Sequence, residues 1–370
     1  MEKKKEGDEF SIVEEFDEKT LKELEKKEHE LEELFSIIKL VTPGTPLRAA
    51  IDDIAKAGLG ALIVIGDSND VLKLANGGFK IDCKFTPQKL VELCKMDGAI
   101  LLSEDLQKIV YCNTLLIPDP TIETNETGTR HKAAERTAKQ TNKLVIAISE
   151  RRKTISLYYK NIKYVLKSAE ELLNKTVETL RMLEKHREIL NETLTNLNIL
   201  EFTNLTTLTD AVMPIQRIEI MRRIVEIIRR YIIELGTEGN LVKVLLKEIT
   251  KNLDVERNLL IKDYSRNPEF TKTALSTLSF DELIEPENII RVMLYSSPSE
   301  QVNPKGFRLV SRTTLKEDAI NTLMNHFKDF QELLNAKQEK LSSILGEKDA
   351  NKFLKEIASL REQALLGKKI

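Results

Sequence analysis

Two short stretches of the chain contain the residue types that a site for a metal-bound polyphosphate needs. Asp97-Gly98-Ala99 places a carboxylate beside a glycine at the start of an apolar run, and Gly128-Thr129-Arg130-His131 places a hydroxyl, a fixed cation and an imidazole after a glycine. A carboxylate is a hard oxygen ligand for a divalent cation, while Arg and His donate hydrogen bonds to phosphate oxygens. Glycine lets the backbone approach a ligand closely. Together the two stretches predict a nucleotide-processing site.

The surrounding segment, residues 37–166, is expected to fold as an α/β domain that holds these motifs where strands meet loops. Short apolar runs alternate there with amphipathic stretches, which is typical of a mixed central sheet flanked by helices. The predicted strands are residues 61–66, 99–102, 109–112 and 144–148 with a hairpin over 154–165, and the predicted helices are 47–57, 87–95 and 132–141.

The rest of the chain is predicted to be helical. Residues 1–36 are rich in Glu and Lys with leucines at helical spacing, and indicate a charged extension that is either solvated or a pairing helix. Residues 167–300 have the apolar periodicity of an all-α spine, with long helices from residue 168, over 209–235 and over 240–264. Turns are predicted at the breaks over 198–207 and 236–239. Residues 301–370 form the last predicted domain, with helices near 317–335 and 348–365.

Composition excludes several classes of function. The 57 basic and 59 acidic residues give a net charge of −2, so DNA binding would need a local basic patch. The three cysteines lack CxxC spacing, which argues against a zinc site and for a reducing compartment. No run approaches the ~20 apolar residues of a membrane span, so we expect a cytoplasmic protein without membrane attachment. No GxxxxGK[ST] pattern occurs, which argues against an ordinary kinase or a P-loop ATPase.

The residues around both motifs resemble the diadenylate cyclase family. The matching stretches are residues 95–105, residues 126–136, and 145–149 followed by Arg151-Arg152. The resemblance is specific from about Leu40 to Tyr164 and looser towards the C-terminus, where some members carry a helical spine and a helix-hairpin-helix unit. It implies that two ATP molecules are condensed into cyclic di-AMP with release of pyrophosphate, with Mg²⁺ or Mn²⁺ as the cofactor.

Site residues follow from the motifs and the resemblance together. Asp97 is expected to hold the metal and to help activate the attacking 3′-hydroxyl, with Arg130 and His131 as the other catalytic residues. Thr129 is expected to cap the following helix. The full set of expected ATP-binding residues is Gly98, Ala99, Leu116, Gly128, Thr129, Arg130, His131, Lys132, Ala133, Ser149, Arg151 and Arg152.

Reciprocal attack by two 3′-hydroxyls requires two identical sites facing each other across a twofold axis. The reaction therefore requires a homo-oligomer, and the family implies an octamer. The family also implies binding of branched DNA through the C-terminal unit, where Gly346 and Lys348 are the expected contacts. Ile344 stands at the first glycine position of that hairpin, and Asp349 adds a negative charge.

Three departures from the family pattern leave alternatives open. The family motif commonly reads Arg-His-Arg-Thr, whereas this chain has Lys132 and Ala133 at the last two positions, and Glu150 replaces a residue that is often basic. The first hypothesis is an active cyclase coupled to DNA-structure sensing. The second is a nucleotide-binding DNA-sensing scaffold with weakened or lost activity. The third is a helical scaffold with an inert α/β cap.

Overall fold

The computed structural model describes residues 32–298 and 300–370, which form two compact units. The first unit contains residues up to 176 together with 230–242, and the second contains 177–229 and 243–370. Most of the predicted extension over 1–36 lies outside the described residues, although 32–40 are helical (α1). The division into 1–36, 37–166, 167–300 and 301–370 stays a prediction.

The first unit is built on an eight-stranded mixed sheet. Its order is β2-β5-β4-β1-β6-β7-β8, with β3 also pairing with β5; only β1 and β4 run parallel. The strands are β1 (Ala61–Ile65), β2 (Ala75–Asn76), β3 (Phe79–Lys84), β4 (Ala99–Leu102), β5 (Lys108–Leu116), β6 (Leu144–Ile148), β7 (Ile155–Tyr159) and β8 (Ile162–Leu166).

Helices cover both faces of this sheet. They are α2 (Pro46–Lys56), α3 (Asn69–Leu74), α4 (Pro87–Leu93) and α5 (Thr129–Thr141). Because successive residues of a strand point to opposite faces, Ile63 packs with α2 and α4, whereas Leu62 and Val64 pack with α3 and α5. The predicted α/β domain with a mixed sheet is confirmed. The sequence did not predict α3, β2 or β3, which are short or lack an apolar run.

A short segment from later in the chain completes the first unit. The amide of Thr237 donates to the carbonyl of Pro43 over 3.4 Å, and Gly236 packs against the same carbonyl. The hydroxyl of Tyr164 donates to Glu234, a carboxylate buried to 9% exposure. Residues 230–242 therefore belong structurally with the sheet domain and not with the helices that precede them.

The second unit consists of helices, which confirms the expected helical region. They are the later part of α6 (Ala169–Thr203), the earlier part of α7 (Leu208–Leu235) and the later part of α8 (Asn240–Ile249). The helices that follow are α9 (Leu253–Tyr264), α10 (Pro268–Thr277), α11 (Phe280–Ile284), α12 (Pro286–Val292), α13 (Phe307–Val310), α14 (Glu317–His326), α15 (Phe330–Leu334), α16 (Gln338–Leu345) and α17 (Glu347–Leu365).

Several predicted helix boundaries were wrong. The helix expected over 240–264 is two helices, because Asn252 adopts a left-handed conformation with φ of 61°. The helix expected over 317–335 also divides, since Phe327 has extended dihedrals after α14 and Asp329 caps α15. Conversely, the break expected from Asn198 begins only after Thr203. Apolar periodicity does not register a single residue that leaves the helical conformation.

Buried charges tie the helices of the second unit together. The guanidinium of Arg308 is 2% exposed and pairs with Glu201 over 2.5 Å and with Glu256 over 3.4 Å. The hydroxyl of Tyr264 also donates to Glu201, over 2.5 Å. Asp263 accepts the backbone amides at positions 306–308 over 2.7–2.9 Å. Breaking one such pair leaves an uncompensated buried charge.

We expect Gly98→Ala to destabilise the sheet of the first unit more than Gly77→Ala. Both glycines have positive φ, 93° and 68°, which costs an alanine about 1–2 kcal/mol. A Cβ at position 98 would lie 2.9 Å from the backbone of Thr114, whereas none of the atoms around position 77 comes within 4 Å. The additional overpacking should cost about 1–3 kcal/mol.

Native-state hydrogen exchange of peptides from 99–116 measures the free energy of local opening at strands β4 and β5. Gly77→Ala is the matched control, because it carries the conformational cost without the steric one. Equal losses in the two variants would show that the backbone of β5 can move away from position 98.

Candidate functional site

A polar cavity of about 500 Å³, which we call the N-terminal cavity, opens in the first unit where the start of α5 meets the turn between β6 and β7. Its walls come from the loop before α5, that turn, and strands β7 and β8. The lining residues are Glu126, Thr127, Gly128, His131, Ser149, Arg151, Arg152, Thr154, Ser156, Lys163 and Val165.

Gly128 and His131, at the start of α5, line this cavity. Gly128 is the N-cap residue, with extended dihedrals, and its carbonyl accepts the amide of Lys132 over 2.9 Å. The amides of the first turn have no acceptor within the helix, and helix N-termini of this kind bind anions. Thr129 is the first helical residue, so the expectation that it caps the helix was wrong.

The loop over 118–127 is fastened along one face of α5. Two loop carbonyls accept hydrogen bonds from side chains of the helix, a loop amide donates to the helix, and a loop hydroxyl donates to a carboxylate. The pairs are Ile122 with Arg136, Glu123 with Lys139, Asp119 with Gln140 and Thr124 with Glu135, over 2.5–3.0 Å. These contacts fix the loop that leads to Gly128.

Glu126 attaches the same loop to the sheet. Its carboxylate accepts the ammonium of Lys163 on β8 over 2.5 Å and the hydroxyl of Tyr158 on β7 over 2.8 Å. Burial alone would raise the pKa of Glu126, but the hydrogen bonds from Lys163 and Tyr158 outweigh it, so the pKa lies below its ordinary value. Glu126 is therefore ionised at neutral pH.

His131 lies against this pair. Its ring meets the ring of Tyr158 edge-on, with centroids 6.4 Å apart. Burial lowers the pKa of His131, the charge of Glu126 raises it, and the nearby cations Arg130, Lys163 and Arg152 lower it again. The net direction is downward, so the imidazole is neutral at pH 7 and each of its two nitrogens has a different role, one donating and one accepting.

The turn between β6 and β7 brings further cations to the cavity. The hydroxyl of Ser149 accepts the amide of Arg152 over 3.3 Å, and the amide of Ser149 donates to Thr154 over 2.9 Å. Arg151 and Arg152 are exposed on this turn and line the cavity. Since Glu126 is the single carboxylate among the lining residues, the cavity has an excess of positive charge that suits an anionic ligand.

The structure brings only part of the expected site into this cavity. The lining includes Gly128, His131, Ser149, Arg151 and Arg152. It does not include Asp97, Gly98, Ala99, Leu116, Thr129, Arg130, Lys132 or Ala133.

Arg130 points to a different part of the unit from His131, because adjacent helical residues are about 100° apart. A Cβ at Gly60 would lie 2.7 Å from Cζ of Arg130, so this glycine leaves room for the guanidinium. Burial raises the pKa of the Cys94 thiol to about 12, and the charge of Arg130 opposes that rise. Arg130 thus lies near Cys94, which follows the last residue of α4 and precedes Asp97 by three residues.

Several other expected ATP-binding residues are part of the packing. Ala99 and Leu116 are 1% and 7% exposed and belong to the core between the sheet and α5. Ala133 packs against the same core. Gly98 lies against the backbone of β5, so its missing side chain is explained by strand packing as well as by ligand approach.

Asp97 is placed where it can accept a metal. It is exposed, and its carboxylate forms no hydrogen bond or ion pair with the residues that the structure describes. Within those residues there is also no group of three or more His, Cys, Asp or Glu side chains that could enclose a metal. Mg²⁺ commonly uses only one or two carboxylates together with water and substrate phosphates. Asp97 fits a site of that kind.

Comparisons with known proteins agree with this architecture. A family model described as the DisA bacterial checkpoint controller nucleotide-binding region matches residues 48–162, and the corresponding linker region matches residues 166–302. The DNA integrity scanning protein DisA of Clostridioides difficile strain 630 is 39% identical over 343 residues, which cover 90% of this chain and 96% of that protein. The same protein of Clostridium botulinum strain Loch Maree is 41% identical over 345 residues, covering 91% and 98%.

The chain belongs to the DisA family. The resemblance inferred from the two motifs is therefore confirmed, and the two matched regions are separated by residues 163–165, which lie within β8. The crystal structure of DacA from Staphylococcus aureus is 22% identical over 40% of this chain and 97% of that chain, with a TM-score of 0.28. Among the residues that the structure describes, no helix is both long enough and apolar enough to cross a membrane.

Sequence reasoning missed Glu126, Thr127, Thr154, Ser156, Lys163 and Val165 of the cavity, as well as Gly60. Glu126 and Thr127 immediately precede the second motif, which was the available signal for them. Thr154, Lys163 and Val165 fell within the predicted hairpin, but only the strand order places its outer strand beside the loop that precedes α5. Gly60 stands directly before the first apolar run and could have been flagged as a position of close approach.

We expect Glu126→Gln to lower the pKa of His131 further. The carboxylate favours the charged imidazolium, so removing its charge removes the influence that raises this pKa. An NMR pH titration of the imidazole signals measures the shift, and the chain has only four histidines to assign.

Glu123→Gln is the matched control, since it removes a carboxylate from an exposed position of the same loop. The His131 titration should be unchanged in that variant. A pKa that stays constant or rises in Glu126→Gln would contradict the assigned geometry.

Proposed function

We propose that this chain is a diadenylate cyclase that condenses two ATP molecules into cyclic di-AMP and releases pyrophosphate. The observation that carries the proposal is the N-terminal cavity, which Gly128 and His131 at the start of α5 line together with the exposed Arg151 and Arg152 of the β6–β7 turn. Backbone donors and guanidinium groups around one opening are suited to a polyphosphate. The family to which the chain belongs supports the same assignment.

The residues of the cavity would bind and orient the triphosphate. Arg151 and Arg152 are exposed and free to close on phosphate oxygens, while Lys163 is held by Glu126 at a fixed position. Neutral His131 can donate one hydrogen bond without adding a charge. Catalysis of this type rests mainly on positioning and on neutralising charge, so few side chains need to exchange protons.

A divalent metal, Mg²⁺ or Mn²⁺, would be held by Asp97. When bound, such an ion neutralises charge on the triphosphate as pyrophosphate leaves. The exposed carboxylate of Asp97 supplies one oxygen ligand, and the remaining ligands would come from the substrate and water.

The reaction also requires more than one copy of the chain. One cavity binds one ATP, and each 3′-hydroxyl must reach the α-phosphorus of the other nucleotide in line. A homo-oligomer in which cavities face each other across a twofold axis meets this requirement, and the octamer is our proposal for its size. We place the activity in the cytoplasm, where ATP is available, with association with the nucleoid if DNA is bound.

We expect Asp97→Asn to reduce cyclic di-AMP formation at least about 100-fold, because the amide is a poor ligand for a hard cation. Product is measured by chromatography after incubation of the purified chain with ATP and Mn²⁺ or Mg²⁺. Far-ultraviolet circular dichroism should be unchanged, since Asp97 forms no hydrogen bond or ion pair with the described residues.

Asp53→Asn is the matched control, because it makes the same change of charge at an exposed position of α2. It should retain full activity. An Asp97→Asn variant as active as the parent chain would remove Asp97 from the mechanism. Bound but unconverted ATP in the parent chain would favour the alternative function, a nucleotide-binding scaffold with lost cyclase activity, and absence of ATP binding would favour an inert α/β cap.

The alternative has an observation in its favour. Ala133 packs against the apolar core, so its position contributes no hydroxyl near the start of α5. Glu150 is exposed on the turn that also carries Arg151 and Arg152, where its charge opposes phosphate binding. These features lower the expected rate but leave the cations of the cavity in place.

DNA binding through the C-terminal hairpin is the second part of the proposal. Helices α16 and α17 are joined by the single residue Gly346, whose φ is 84°. The amide of Gly346 is bonded to Ser342 over 2.9 Å, so any donor to a DNA phosphate must come from the first turn of α17. That turn carries exposed Lys348, but also the acidic residues Glu347 and Asp349. Ile344 packs against the core.

If the hairpin binds DNA, Lys348→Gln should weaken binding to branched and linear duplexes equally. The slope of the logarithm of the binding constant against the logarithm of the salt concentration should fall in magnitude by about one. An electrophoretic shift assay with a four-way junction and a linear duplex, at about 50 and 200 mM salt, measures both quantities. Lys355→Gln, an exposed cation on the same helix, should have no effect. Absence of any shift at the lower salt concentration would remove DNA binding from the proposed function.

A further inference from the structure

A second cavity lies among the helices of the second unit. It measures about 410 Å³ and is bounded by α6, by α8 and the start of α9, and by the region around α13. Its charged lining residues are Arg187, Lys251, Arg308, Arg312 and Lys369 on the positive side, and Glu248 and Glu256 on the negative side. This excess of positive charge favours an anionic ligand.

The positive charge is only partly neutralised by the protein. Glu256 already pairs with Arg308 over 3.4 Å and with Arg312 over 2.5 Å. Arg187 and Lys251, in contrast, form no ion pair with any residue in the described part of the chain; Arg187 donates only to the carbonyl of Lys251, over 3.2 Å. Burial lowers the pKa of Arg187, and the charge of Glu256 opposes this. A bound anion would compensate the charge of Arg187.

We propose that this cavity binds a small phosphorylated molecule of about the size of a mononucleotide. Its volume falls in the range of about 300–1,000 Å³ that is usual for small-molecule sites. The phosphate lies against Arg187 and Lys251. The site is built entirely from the second unit, so it does not depend on the cyclase reaction assigned to the first.

Hydrogen-exchange mass spectrometry of the full chain tests the site by position. The probes are AMP, which carries a phosphate and ribose hydroxyls, and inorganic pyrophosphate, which carries phosphate alone. AMP should slow exchange in peptides covering 187–198 and 248–256. Any AMP bound in the N-terminal cavity is detected separately, in peptides covering 126–131, so failure of the proposed cyclase leaves this result intact.

The double variant Arg187→Gln and Lys251→Gln removes two charge-assisted contacts. It should therefore raise the AMP concentration needed for half-maximal protection of 187–198 and 248–256 at least about tenfold. The matched control is Arg181→Gln with Lys247→Gln. It removes two exposed cations that do not line the cavity, one from α6, which also carries Arg187, and one from α8, which ends two residues before Lys251. This control should bind AMP as the parent chain does.

Protection by both probes, or by AMP alone, supports the proposal, provided that the lining variant loses it. Absence of protection by either probe at millimolar concentration would overturn it. Protection that survives in the lining variant, or that the control variant loses to the same extent, would also overturn it, since binding would then come from elsewhere or from general charge attraction.

Discussion

The ion pair between Glu126 and Lys163 is the interaction on which the N-terminal cavity depends. It joins the loop before α5 to the outer strand of the sheet, and Tyr158 adds a second link from β7. Without it, the loop before α5 would lose its ion pair to the outer strand, on the side of the cavity that β8 lines. The same carboxylate neutralises Lys163 in part, so the cavity carries positive charge without the cations repelling one another strongly.

The sequence predicted the sheet domain well because its central strands are continuous apolar runs bounded by glycine or polar residues. Ala99–Leu102 and Leu144–Ile148 were located without error for that reason. The helical region was predicted in outline, but the break at Asn252 was not, since periodicity continues across it. The buried position of Arg308 was also out of reach, because pairing with Glu201 joins residues more than one hundred positions apart.

The candidate site was predicted in its residue types more than in its geometry. Residues 128–131 were expected to contribute together to one site. Because successive residues of an α-helix are rotated about 100° apart, His131 lines the cavity, whereas Arg130 lies beside Gly60. Glu126 and Lys163 were missed because their roles arise from a contact between a loop and a strand that are distant in sequence. Local spacing indicates which groups are available, whereas the order of the strands decides which of them meet.

The close approach of Gly98 to the backbone of β5 has a consequence for how related chains are interpreted. The position has to be glycine for the two strands to lie side by side, whether or not a nucleotide ever reaches it. A related chain that had lost catalytic activity would have the same steric restriction at this position. Asp97, beside it, has no comparable role in the fold, so its retention or loss is the more informative sign of whether a related chain is still active.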